Sequence, residues 1–387
     1  MKNIITSLLG SRIDDGGRLA KALAIVAFFV VIFLPGLQMV TGLGYIAPVS
    51  ENRRLAEWPV FNAEKGLQAY IEAYQSWFDD HFGFRAFFIK LKTQIDYTLF
   101  DYSSRIHIGK DGWLFYRNVL DIEKPNIENI LARSEGQVVA GVVELNRVLA
   151  QRGITLILLI APLKDHFYSA YFSSSVQRLP KPSRFENLYA RLLRTDGLLF
   201  VDTISLLRET MKQRPVFHKT DLHWNDPAAF VVAKWIVDEL SRRAGRENSV
   251  WAHELKIATH KFSGGQATFM PLFSPPGEMG LFLEPTWKVA PPTERTDIAP
   301  FVFVSRSSQS LPDVLAPMAV LGDSFFDGIV RSGITFEFEK VYRASWSQVR
   351  LPEFLNKLPS DCRYVIVEFI DVSVAGFSDL IDMAPRK

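Results

Sequence analysis

The chain of 387 residues holds one cysteine, Cys362. A single thiol permits no internal disulfide and no cysteine-based zinc site. It borders the apolar run Arg363-Tyr-Val-Ile-Val-Glu368 and reads as structural. An excess of either charge is missing too. Lys and Arg total 44 against 42 Asp and Glu, a net charge of +2. No whole-chain basic field marks a binder of nucleic acid or acidic polymers. Neither Gly-x-x-x-x-Gly-Lys-Ser/Thr nor Gly-x-Gly-x-x-Gly occurs, so the usual phosphate cradles are absent and no cofactor is expected. The 7 histidines include no His-Glu-x-x-His unit. His218, Asp221 and His223 remain as a minor possibility for zinc. No internal repeat or low-complexity tract is present.

What the chain does have is a long apolar run near its start. No residue from Ala22 to Ser50 is charged, and Lys2, Arg12, Arg18 and Lys21 precede the run. About 20 apolar residues cross a bilayer. Positive charge on the leading side puts that side in the cytoplasm. The expected order is therefore residues 1–21 cytoplasmic, 22–43 a transmembrane signal anchor, and the remainder outside. A cleaved signal peptide is the alternative, but the run is long for one and no small-x-small cleavage site follows it directly. In a Gram-negative cell this means a single-pass inner-membrane protein with its body in the periplasm.

Residues 44–130 read as a juxtamembrane and helical part. A helical pattern runs from about Gly66 to Phe88, with Tyr70, Tyr74, Trp77, Phe78 and Phe82 as an aromatic stripe. Such a stripe is ordinarily core. Residues 131–387 read as an α/β domain. Val138, Val142, Leu145 and Leu149 share one face of a helix over Ser134–Gln151, and Gly153 ends it. The continuous apolar runs Ile154–Ile160, Leu198–Val201 and Met318–Leu321 are marks of strands buried on both faces. Two further strands are expected over Phe338–Arg343 and Tyr364–Phe369. Helices are expected over Phe185–Leu193, Ile204–Met211 and Asp226–Arg243, the last capped by Asn225 or Asp226. Residues 251–316, rich in Pro and Gly, read as an irregular insertion. Strands alternating with helices argue a mostly parallel sheet with helices on both faces.

Chemistry concentrates at two places. Gly322-Asp-Ser-Phe325 follows directly on a buried strand, which puts the Ser324 hydroxyl at the carboxyl edge of the sheet. Ligands of open α/β sheets bind at that edge. The turn also exposes N–H groups able to stabilise an oxyanion. Serine needs a base, and the base needs an orienting acceptor. Asp221-Leu-His223 supplies both just before a helix. Each motif alone is weak; together, at element edges, they point to a serine nucleophile. The Gly-x-Ser-x-Gly elbow is absent around Ser324.

Asp221-Leu-His223-Trp-Asn225 with the later Gly322-Asp-Ser-Phe325 resembles the SGNH hydrolase-like polysaccharide O-acetyltransferases of the alginate type (AlgJ and AlgX). Glu51-Asn-Arg53, Asp80-His-Phe-Gly-Phe-Arg85, Gly109-Lys-Asp-Gly-Trp-Leu-Phe115 and Ala161-Pro-Leu-Lys164 extend the likeness over most of residues 51–370. The resemblance implies an SGNH hydrolase-like α/β fold with the Asp-x-His block ahead of the Gly-Asp-Ser block, the reverse of ordinary SGNH hydrolases. It implies a catalytic set of Asp221, His223 and Ser324. It also implies acetyl transfer to an exported exopolysaccharide, alginate or similar, through an acetyl-serine. A multi-pass membrane acyltransferase would be the acetyl donor, with other export proteins as partners. The single anchor and the lack of a C-terminal carbohydrate-binding module are closer to AlgJ. Where the family has Gly-Asp-Leu, this chain has Gly264-Gly-Gln-Ala267.

Four further residues are candidates for oxyanion or substrate contacts. Arg343 is the candidate second oxyanion donor, against a surface arginine. Lys164 would bind an anionic group, against an edge lysine in water. Trp224 and Tyr342 would stack on sugar, against core positions. Two other activities use the same residues: a carbohydrate acetylesterase with water as acceptor, and a polysaccharide-binding scaffold with an inactive site.

Overall fold

The computed structural model of the chain describes residues 2–42, 44, 49, 54–121, 127–174, 176, 181–246, 255–285, 293–294, 299–306 and 314–385. Glu51-Asn-Arg53 lies outside these described residues. The chain divides into two units, Met1–Asp101 with Pro271–Ser274, and Tyr102–Met270 with Pro275–Lys387. The division falls after Asp101, where the sequence suggested a boundary at 130.

The smaller unit begins with the helix Lys2–Thr41. Its stretch Gly17–Thr41 spans 25 residues at a mean hydropathy of 2.5 and is long and apolar enough to cross a membrane. That is compatible with a single-pass anchor or a signal sequence. The single helix expected from Gly66 to Phe88 is instead two, Gly66–His81 and Arg85–Phe100. The break has a tertiary cause. A Cβ on Gly83 would fall 1.8 Å from the Pro35 carbonyl oxygen, so only glycine fits there. Phe84 takes a left-handed φ of 59° and donates its N–H to Gln38 Oε1. The aromatic stripe is not core either, since neither helix has a buried residue.

In the larger unit, the strands are β1 (Ile106–Ile108), β2 (Leu114–Tyr116), β3 (Thr155–Ala161), β4 (Leu199–Phe200), β5 (Leu255–Phe262), β6 (Glu278–Pro285), β7 (Thr293–Glu294), β8 (Phe303–Arg306), β9 (Met318–Gly322), β10 (Lys340–Ser345) and β11 (Tyr364–Ile370). Seven form one sheet in the order β4-β3-β11-β9-β10-β8-β7. The first five are parallel, and β8 and β7 add an antiparallel edge. β1 with β2, and β5 with β6, make separate antiparallel pairs.

The apolar runs explain the layering. Ile157, Leu159 and Ala161 of β3 enter one core, while Leu156, Leu158 and Ile160 enter the other. β9 divides likewise, with Met318 and Val320 on one side and Ala319 and Leu321 on the other. Each fully buried Leu or Ile stabilises by about 1.5–3 kcal/mol, so β3 alone contributes on the order of 10 kcal/mol. The helices Thr203–Met211 and Asp226–Arg243 cover the first face, and Ile127–Gln151, Arg184–Leu193 and Val374–Met383 the second. Ile127–Gln151 starts seven residues before the expected Ser134, because Ile127 and Leu131 continue the same buried stripe.

Residues 251–316, expected to be irregular, carry β5 to β8 among their described residues. β5 is mostly exposed, so it has no buried face to impose a period of two on its sequence.

Candidate active site

β9 is buried along its whole length and ends at Gly322. A Cβ at Gly322 would meet Glu368 Oε2 at 3.0 Å and the Phe326 side chain at 3.2 Å. The glycine thus lets the strand end press against β11. Asp323 then ties the turn. Its Oδ1 accepts the Phe325 N–H at 2.8 Å and its Oδ2 accepts the Ile370 N–H at 2.9 Å. The Asp323 N–H donates to Glu368 Oε2 at 2.8 Å. Phe325 and Phe326 are buried, and Ser324 between the strand and the helix Phe326–Arg331 is exposed. Among the described residues, no acceptor takes the Ser324 N–H.

Glu368 is fully buried on the β11 face that meets this turn. Burial, and then the negative charge of Asp323, push its pKa well above the ordinary range. Burial likewise raises Asp323, against the N–H groups of Phe325 and Ile370. Two acids so close cannot both be ionised without large cost, so the pair holds a proton. The direction of both shifts favours the neutral form of Glu368 beneath the nucleophile turn.

His223 comes from the segment before the helix Asp226–Arg243. Asn225 is the N-cap, accepting the Ala228 N–H at 3.0 Å, and it also donates to Pro215 O at 2.7 Å. His223 Nε2 lies 2.8 Å from Ser324 Oγ, and His223 Nδ1 lies 2.7 Å from Asp221 Oδ1. Asp221 also accepts the His223 N–H at 2.8 Å and the Gly265 N–H at 2.7 Å. Burial alone would raise its pKa. The His223 ring, then the Gly265 and His223 N–H groups, outweigh burial and hold the carboxyl well below the carboxylate range. An ionised Asp221 can only accept, so the proton sits on Nδ1 and Nε2 is left to accept from Ser324. The arrangement can deprotonate Ser324 and carry the resulting imidazolium against a fixed carboxylate.

Three supports hold the segment His218–His223. Lys164 Nζ donates to the carbonyls of His218, Lys219 and Asp221 at 3.2, 2.8 and 2.7 Å. Glu278 of β6 accepts from the Lys219 N–H, the Thr220 N–H and the Thr220 hydroxyl at 2.9, 2.6 and 2.7 Å. Gly264 donates to Thr220 Oγ1 at 3.0 Å, and a Cβ there would meet the Thr220 backbone at 2.5 Å. The Gly264-Gly265 departure from the family pattern thus sits against the acid, where its N–H groups are used.

The four substrate candidates have other engagements. Lys164 is buried, its ammonium beneath the acid–base segment and over the rings of Trp113 and Phe115, so it is neither a solvated edge lysine nor free to meet an anion. Burial pulls its pKa down to about 7, against the charges of Asp221, Glu278 and Asp165. Trp224 is buried too. Its Nε1 donates to Phe325 O at 3.1 Å and its ring meets that of Phe325 edge-on, so it locks the base to the nucleophile turn and offers no face to a sugar. Arg343 of β10 pairs with Asp327 and lies over the Phe326 ring at 5.7 Å. Tyr342 donates to Asp361 and packs on Phe301. Among the described residues neither hydrogen-bonds to His223 or Ser324 directly; Arg343 reaches the nucleophile turn only through Asp327, whose N–H donates to Ser324 O at 3.2 Å. His218 Nε2 faces the Leu281 backbone, 3.1 Å from its nitrogen and 3.2 Å from its oxygen.

Sequence reasoning missed Glu278 and Glu368, both brought in by distant strands, and saw Gly265 only within the departure Gly264–Ala267, without its bond to Asp221. It also missed Tyr116, whose phenol burial and the nearby Asp221 charge push up to about 12. An acid inside the apolar run Tyr364–Ile370 was the one available signal for Glu368.

A hydrogen-bonded Ser, His and Asp at the carboxyl edge of a mostly parallel sheet, in this fold, define an SGNH hydrolase-like protein. The chain belongs to the family described as SGNH hydrolase-like domain, acetyltransferase AlgX, which matches residues 106–331. It is similar to the probable alginate O-acetylase AlgJ of Pseudomonas syringae pv. tomato, at 24% identity over 246 residues, 63% of this chain and 60% of that protein. The AlgJ of Pseudomonas aeruginosa is 28% identical over 186 residues, 48% of this chain and 44% of that one. The chain thus spans about half of the length of these relatives. Among solved structures, Bacillus cereus PatB1 with a sulfonyl adduct superposes at a TM-score of 0.51 and 14% identity, covering 72% of this chain and all of that one, and agrees in fold.

Proposed function

We propose that the protein is an O-acetyltransferase that acetylates an exported exopolysaccharide, alginate or a similar polymer, by a Ser324–His223–Asp221 mechanism. One observation carries the reading: Asp221, His223 and Ser324 form an unbroken hydrogen-bonded chain at 2.7 and 2.8 Å, ending at an exposed hydroxyl. Ser324 Oγ attacks the carbonyl carbon of an acetyl donor while His223 Nε2 takes its proton. The donor's leaving group departs with that proton, and acetyl-serine remains. A sugar hydroxyl then attacks the acetyl-serine, gives its proton to His223, and Ser324 recovers a proton from His223 as the ester bond breaks. The Ser324 N–H is a donor for the oxyanion in both steps.

Residues 22–43 would anchor the protein in the bacterial inner membrane, with residues 1–21 in the cytoplasm and the sheet domain in the periplasm. A multi-pass membrane acyltransferase would supply the acetyl group there, and other exopolysaccharide export proteins would present the polymer.

The test is Ser324→Ala in cells that export the polymer. Loss of polymer acetylation with undiminished protein is the expected result, and retained acetylation overturns the mechanism. Purified protein given an acetyl ester and an oligosaccharide should form acetylated sugar. Free acetate alone would make it an esterase.

A further inference from the structure

We infer that the two helices Gly66–His81 and Arg85–Phe100, which meet at Phe82–Phe84, lie in the membrane interface with their apolar stripes against lipid. The inference rests on Gly17–Thr41 crossing the membrane, as proposed above.

The first observation is the shape of the exposed surface. Leu67, Ile71, Tyr74 and Phe78 recur at helical spacing and are 64%, 41%, 40% and 38% exposed. Phe88, Leu91, Ile95 and Leu99 repeat the pattern on the second helix at 49%, 37%, 42% and 70%. Helices of a water-soluble body bury such stripes. A large, continuous exposed apolar patch marks a surface that meets something else. Both stripes run the length of their helices, so the contact is with a broad surface and not with a point.

The second observation fixes the level. The tip Phe82–Phe84 is docked on the spanning helix, Gly83 against the Pro35 carbonyl and the Phe84 N–H on Gln38 Oε1 at 3.0 Å. Gln38 and Pro35 precede the helix end at Thr41 by three and six residues. At 1.5 Å per residue the tip lies roughly 5–9 Å inside that end. The stretch Gly17–Thr41 is 25 residues long, about 37 Å by the same rise, against a hydrocarbon core of about 30 Å. The tip therefore sits where hydrocarbon gives way to headgroups. Trp and Tyr favour that level, and the helix that leads to the tip carries Tyr74 and Trp77, with Trp58 meeting Trp77 at 4.4 Å and Tyr74 at 6.1 Å. Of the two acids beside the tip, Asp80 accepts the Ala56 N–H at 2.8 Å and faces Arg85 at 4.0 Å, and Asp79 is exposed.

Lipid, and not a partner protein, is the occupant these features favour. The stripes lie on helices whose junction docks on the proposed span, and an amphipathic helix binds an interface through its apolar face.

Single cysteines test it in the full-length chain, since the native Cys362 is buried and does not compete for label. Phe78→Cys, Ile95→Cys, Ser76→Cys and Val31→Cys would each carry a bimane fluorophore in phosphatidylcholine–phosphatidylglycerol vesicles. Nitroxides on the acyl chains and aqueous iodide serve as quenchers. Labels at 78 and 95 should lose fluorescence to the lipid nitroxide as the label at 31 does, while the label at 76 loses it to iodide. Quenching at 31 by lipid but at 78 and 95 by iodide overturns the inference and leaves the span intact. Iodide quenching at 31 removes the span, and the inference with it. Labels at 78 and 95 that iodide reaches in vesicles but not in native membranes make the occupant a protein, which also overturns it.

Discussion

Replacing Asp221 by Asn removes one charge and almost no volume. Asp221 serves three N–H donors at 2.7–2.8 Å: the His223 ring, the His223 backbone and Gly265. An amide has one accepting oxygen. If that oxygen keeps His223, the amide nitrogen faces the Gly265 N–H and that bond is lost. If it turns to Gly265, the amide donates to Nδ1, which moves the imidazole proton to Nε2 and removes the acceptor for Ser324. In either case the imidazolium formed during attack loses its counter-charge. At roughly 4 Å and an effective dielectric constant of about 20, that pair is worth about 4 kcal/mol. This corresponds to about a thousandfold in kcat. The lost charged hydrogen bond to Gly265 should cost about 1.5–3 kcal/mol of stability, leaving a folded protein. Steady-state turnover of a chromogenic acetate ester, with a thermal melt as control, measures both. A folded variant that loses less than about tenfold in kcat refutes the role given to Asp221.

Lys164→Met leaves the carbonyls of His218, Lys219 and Asp221 without their donor. It should lower kcat for the ester with KM little changed; an unaltered kcat shows that the clamp is irrelevant. In the wild type, three carbonyls need the ammonium, so activity should decline as pH rises through the Lys164 pKa of about 7, a step that the Met variant lacks. Glu368 has a raised folded pKa. The folded state therefore holds a proton that the unfolded state releases, and stability falls as pH climbs above the ordinary carboxyl range. Glu368→Gln should flatten that fall, seen as a melting-temperature advantage that grows toward alkaline pH; a parallel pair of curves counts against the neutral acid. Trp224→Phe strips the donor from the buried Phe325 carbonyl. At about 1–3 kcal/mol and about 2–4 °C per kcal/mol, the melt should drop by several degrees, and an unchanged melt counts against the lock.

The sheet could be read from the sequence where burial is two-sided. β3 is apolar from Leu156 to Ala161 and β9 from Met318 to Leu321, because each face meets its own core. Ser324 could be placed because it follows directly on β9, and His223 because it precedes a helix whose cap, Asn225, is local in sequence. Lys164 was misread because its partners are 54 to 57 residues away, on a loop that only the fold brings beneath it. A lysine at a strand edge looks solvated until three carbonyls converge on it. Trp224 was open between platform and core for the same reason. The hairpin β5–β6 escaped notice because an exposed strand has no inner face to fill. The helix break at Phe82–Phe84 escaped because a contact with Pro35 and Gln38, far back in the chain, overrides an otherwise continuous pattern.

The strand order carries a consequence for biogenesis. β11, residues 364–370, lies between β3 and β9 and completes the floor beneath Ser324 through Glu368. Until it arrives, no strand joins β3 to β9, and the nucleophile turn lacks Glu368 beneath it. The long separations in sequence make this a late assembly step. If the chain is threaded across a membrane from its N-terminus, esterase-like reactivity cannot switch on part-way through. It can appear only once β11 has emerged.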